Sequence, residues 1–184
     1  MTRLFLASAF FAAALAACQN QTNDNVQNTS AGESNMALTN MPASTPAVDA
    51  AFLTDAMKGD NSEVALGKLA QQKGASEGVK SLGSMLVSDH GAHKQEVATL
   101  AQQVGAPVTD DLTDEAKTLQ SKLNGLSGAA FDKEFVAAAV EDHQKDIAKY
   151  EAQAKSGDEQ TAALANKTLP TLREHLEAAQ ALQK

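Results

Sequence analysis

The residues of this chain best suited to chemistry are its four histidines, His90, His93, His143 and His175, because imidazole is both a metal ligand and a proton acceptor near neutral pH. His90 and His93 fill the two gaps in an apolar series at Val79, Leu82, Leu86, Val97, Leu100 and Val104, which places a polar pair on an inward helical face. The phrase Val87-Ser88-Asp89-His90 returns as Val140-Glu141-Asp142-His143, and both His143 and His175 fall on apolar stripes. Glu63 is read on the inward face of another segment, between Gly59 and Leu66. Glu63, His90, His93, His143 and His175 therefore form a candidate ligand set. Asp89, Asp142 and Glu174 are the carboxylates available to orient the imidazoles. Such a nitrogen-rich set suits a divalent transition metal, Zn, Cu or Fe, better than Mg or Ca. The alternative use of the same histidines is structural: hydrogen-bonded core groups that fix register in an alanine-rich interior.

No residue is assigned a catalytic role. A Gly-x-Ser-x-Gly elbow, a phosphate-binding glycine loop and a Cys-x-x-Cys-His motif are all missing from the sequence.

These side chains must be positioned by helices. Thr45-Pro46 reads as an N-cap and first helical residue, opening a helix to about Lys73, where Gly74 stops it and Ser76 caps the next. That second helix runs to about Val104, ahead of Gly105 and Pro107, and contains Gly78, Gly83 and Gly91. Residues 105–127 form a longer connection with a short helix from Thr113 to Leu123. A third long helix runs from near Ser127 to about Ser156, and after Gly157-Asp158 a fourth continues to the end, with Pro170 expected to kink it. Strand signals do not occur. The expected fold is all-α, a four-helix bundle with two tight hairpins and one long connection. Counting from turns near 75 and 157, Glu63 and His90 stand 12 and 15 residues away, and His143 and His175 stand 14 and 18. Offsets of three to four residues amount to about 4.5–6 Å along an axis, too much for one coordination shell unless helices slide or kink.

The first residues form a different kind of segment. Thr2-Arg3 followed by the apolar run Leu4–Leu15 is too short to span a bilayer and has the order of a secretory signal. Leu15-Ala16-Ala17-Cys18 resembles the lipobox of bacterial lipoproteins, which implies cleavage after residue 17 and a lipid on Cys18, the only cysteine. Gln19 is not the aspartate that favours inner-membrane retention, so the resemblance implies the periplasmic face of the outer membrane of a Gram-negative bacterium. Residues 19–47 hold 16 Asn, Gln, Ser and Thr in 29 positions with no apolar period, the composition of a polar tether. The expected organisation is thus a signal at 1–17, a lipidated Cys18 with its tether at 18–47, and a helical domain at 48–184. Without the signal the net charge is −9, which disfavours nucleic acid as a partner.

Ser88-Asp89-His90, Phe131-Asp132, Asp142-His143, Leu169-Pro170-Thr171-Leu172 and His175-Leu176 together resemble the pattern of the bacterial family catalogued as domain of unknown function 4142, over roughly residues 49–183. That resemblance implies a ferritin-like bundle in an exported protein and no settled activity. Bundles of this type can hold two metals through Glu-x-x-His pairs. Here the positions three before His90, His143 and His175 are Val87, Val140 and Leu172, so that signature is missing. Two functions follow as expectations. The first is a non-enzymatic lipoprotein, attached to the membrane through Cys18, that binds or supports another envelope protein. The alternative is a histidine-rich metal-binding or redox bundle.

Overall fold

A computed structural model describes residues 47–183. The segments read as signal, Cys18 and tether lie outside the described residues, apart from the tether's last residue, Ala47. Among the described residues there are five α-helices and no strand: α1 (Ala47–Lys73), α2 (Glu77–Val104), α3 (Asp114–Asn124), α4 (Gly128–Ser156) and α5 (Glu159–Ala181). None is long and apolar enough to cross a membrane.

The helix ends follow from local chemistry. Ser76 Oγ accepts from the Val79 amide, Thr113 Oγ1 from that of Ala116, and the Asp158 carboxylate from those of Gln160 and Thr161. Gly105 ends α2 at φ 72°, the left-handed conformation that glycine adopts without a Cβ penalty. Pro170 lies inside α5 without ending it, and the helix continues to Ala181.

α1 and α2 pair as one antiparallel hairpin, α4 and α5 as another. The first is drawn tight by Gly67 and Gly83. A Cβ on Gly83 would stand 2.6 Å from the Gly67 carbonyl oxygen, and one on Gly67 2.7 Å from that of Gly83. The connection between the hairpins runs along the side of α1. Asn61 Nδ2 donates to the Thr109 and Asp111 carbonyls, and Lys73 Nζ donates to those of Leu123 and Asn124. It brings the chain back to the Gly74 turn, where Asp132 near the start of α4 accepts the Ala75 and Ser76 amides at 2.8 Å each. α2 and α4 therefore run in the same direction.

The core is divided into two apolar clusters. One, near the Gly74 turn, contains Leu82, Leu86, Phe131 and Phe135; the other contains Leu53, Met57, Val97, Leu164 and Leu172. Between them lies a buried polar layer that includes Asp60, Glu63, His90, His143 and His175. Buried groups of this kind are tolerated only when their hydrogen bonds are made inside the protein, so the layer demands a partner for each nitrogen and oxygen.

Candidate metal centre

Three of the four histidines meet. His90 of α2, His143 of α4 and His175 of α5 each place a ring nitrogen within 4.8 Å of the other two, the only such group among the described residues. Their ring centroids are 5.2–5.7 Å apart, and the residues are 5%, 1% and 1% exposed.

The expected height mismatch does not keep His143 and His175 apart. Cα–Cβ bonds lean toward the N-terminus of their helix. In an antiparallel pair, His143, nearer the turn, leans away from it, and His175, farther out, leans back toward it. Both tilts close the gap, and His143 Nε2 lies 3.2 Å from His175 Nδ1.

Each imidazole has one nitrogen committed to an oxygen that can only accept. His90 Nδ1 faces Asp60 Oδ1 at 2.9 Å, His143 Nδ1 faces the Ala139 carbonyl at 2.9 Å, and His175 Nε2 faces Asp89 Oδ2 at 3.0 Å. Those nitrogens carry the protons and donate. The remaining ones, Nε2 of His90, Nε2 of His143 and Nδ1 of His175, are then lone-pair nitrogens. Two of them oppose each other at 3.2 Å, and His90 Nε2 is buried with no hydrogen-bond partner at all. Opposed lone pairs repel unless a cation lies between them. A proton does not serve at neutral pH: burial, then the neighbouring His90 and His175, push His143 down to about 4, and burial also lowers His175. The set fits a metal ion, with one oxygen acceptor behind each ring fixing its tautomer.

The other expected residues go elsewhere. His93 does not join the three; its Nδ1 shares Asp60 at 2.9–3.0 Å, and its Nε2 is buried without a partner. Glu63 is 2% exposed but faces Asp142 of α4 within hydrogen-bonding range rather than the imidazoles. Burial first, then Asp142, Asp146 and Asp60, hold its proton well above the ordinary glutamate range. Asp142 accordingly turns to Glu63 rather than to an imidazole. Asp89 reaches across from α2 to α5, as its sequence position beside His90 requires, while Glu174 lies on the exposed side of α5.

Apolar periodicity passes Asp60 by, because the inward stripe it marks on α1 runs through Gly59 and Glu63. The signal that finds it is register. With the turn centred near 75, Asp60 and His90 are equally distant from it, so they stand level in the hairpin.

Beside the three histidines, between α1 and α4, lies a cavity of about 810 Å³ with α3 against it. His90, His93, Asp60, Glu63, Asp142 and Asp146 line it; His143 and His175 do not.

The family model described as domain of unknown function (DUF4142) matches residues 34–182. No curated protein matches the chain. Among solved structures, a DUF305 fragment from Deinococcus radiodurans is similar at 13% identity and a TM-score of 0.65, over 73% of this chain and 94% of that one. CopM in its Cu(II)-bound form is similar at 15% identity and a TM-score of 0.62, over 73% and 95%. At these identities the likeness is one of fold.

Proposed function

We propose that this chain, which belongs to the DUF4142 family, binds one divalent transition ion, Cu(II) or Zn(II), through His90 Nε2, His143 Nε2 and His175 Nδ1. The observation that carries this is the convergence of three buried lone-pair nitrogens, each oriented by an oxygen acceptor on its far side. Neutral imidazoles suit Cu and Zn, and the two carboxylates behind them, Asp60 and Asp89, balance a charge of +2 in a site removed from water. At metal–nitrogen distances of about 2.0–2.1 Å the rings would have to turn inward to close on the ion, and three protein ligands would leave a further position open. That a protein of the same fold, CopM, was solved with Cu(II) bound supports the choice of metal.

On this reading α1, α2, α4 and α5 are the members of a ferritin-like four-helix bundle, and the segment carrying α3 is its long crossover. Cys18 carries the lipid that holds the protein at the periplasmic face of the outer membrane.

The test is elemental analysis of the purified full-length chain after dialysis against Cu(II) or Zn(II), beside the His90→Ala and His143→Ala variants. About one ion per chain, lost in both variants while helix content is kept, is the expected result. Metal-free wild-type protein, or metal retained by both variants, would overturn the assignment and leave the histidine layer a purely structural network.

A further inference from the structure

We infer that the cavity between α1 and α4 is the passage by which the cation reaches the three histidines, an inference that rests on the metal-binding reading above. His143 and His175 are 1% exposed and do not line the cavity; His90 belongs to both the cavity wall and the cluster. His90 is therefore the face that the centre presents to the cavity. On the other side, the α2–α5 seam is spanned by the 3.0 Å hydrogen bond between Asp89 and His175.

The cavity has the composition of an inlet for cations. Eight carboxyl groups and three lysines line it, so its field is negative. Low-dielectric walls concentrate that field and raise the local concentration of a dication. The buried Glu63 faces Asp142 in its interior, and His93, which lines it beside His90, has its Nε2 buried without a partner. Carboxyl oxygens hold Cu(II) and Zn(II) less firmly than imidazole nitrogens do, so the order of donors from cavity to centre runs from weaker to stronger. The space itself comes from small residues on the facing helices, Gly59 and Ala56 on α1 and Ala138 on α4.

A passage differs from a ligand in its kinetics. Obstructing it slows arrival and departure by the same factor and leaves Kd, their ratio, unchanged. Gly59→Leu is a suitable obstruction, because a Cβ on Gly59 meets nothing within 4 Å and leucine favours the helix over glycine. Zn(II) association and dissociation would be followed by stopped flow with a chromophoric chelator, using the full-length chain. The expected result for Gly59→Leu is that both rates fall about tenfold while Kd stays within about twofold. Asp142→Asn, which removes a carboxylate from the lining without adding bulk, is expected to slow association about threefold, and less so at high salt. Unchanged rates in a Gly59→Leu protein with native helix content and melting temperature would overturn the passage alone. A shift in Kd carried only by dissociation would also overturn it, since the residue would then act on the centre. Wild-type protein that takes up neither Zn(II) nor Cu(II) would overturn both this inference and the reading beneath it.

Discussion

Asp60 accepts from His90 and His93 at once, and in doing so fixes which nitrogen of each ring keeps its lone pair. Replacing it with asparagine removes the charge and offers one of the rings an amide instead of an oxygen. Asp60→Asn is expected to weaken Zn(II) binding about 10- to 100-fold with the fold retained, which isothermal titration would read directly. Glu63 behaves differently, because its burden is its own ionisation. In the unfolded chain it loses its proton near the ordinary value, whereas in the folded protein burial and three aspartates retain it. Stability conferred by the protonated group is therefore complete below the unfolded pKa and is lost as pH rises toward the folded one. Glu63→Gln does not titrate. In chelator, its melting temperature should match wild type near pH 4 and exceed it progressively above that; a difference independent of pH would contradict this account of Glu63.

At the scale of the helices, the three glycines within α2 are not equivalent. Gly83 lies against the Gly67 backbone, where an added Cβ meets carbonyl oxygen at 2.6 Å; Gly78 meets only the end of the Leu182 side chain; Gly91 meets nothing within 4 Å. Gly83→Ala must push α1 and α2 apart and is expected to cost about 1–3 kcal/mol. Gly91→Ala relieves only the backbone entropy of glycine and should add about 1 kcal/mol. Urea unfolding of the two variants would show opposite signs. The helices themselves were legible in the sequence, because Ser76, Thr113 and Asp158 are capping residues in the right places and Gly74, Gly105 and Gly157 mark the stops. What residue counting could not supply was the meeting of His143 with His175, since it places Cα atoms and ignores the opposite lean of side chains in an antiparallel pair. Nor could periodicity alone decide between Gly59, Asp60 and Glu63 as the inward residue of α1, because a stripe about 100° wide admits neighbours on either edge.

For the molecule as a whole, the histidine layer makes folding and metal binding respond to pH in different ranges. The unfolded chain binds a proton at His143 near 6.5, while the folded protein does so only at about 4. A histidine with a depressed folded pKa contributes stability that is full above the unfolded value and is lost as pH falls toward the folded one. The metal-free protein should therefore lose about 3 kcal/mol between pH 6.5 and 4 from this group. Metal binding should not follow the same curve. A proton competes with the ion only where the folded imidazole accepts one, and at His143 burial has moved that point to about 4. An exposed histidine cluster would begin to release Zn(II) near 6.5. Here, with proton competition at His143 moved to about 4, Zn(II) affinity is expected to fall with pH less steeply than at an exposed cluster, while the stability of the metal-free protein is already declining. Because the separation between melts with and without Zn(II) is set by that affinity, calorimetry across this range would show both curves falling with pH while the gap between them narrows only as Zn(II) affinity falls. Affinity that declined in step with the titration of ordinary histidine would mean that the ligands are solvent-exposed side chains rather than the buried three.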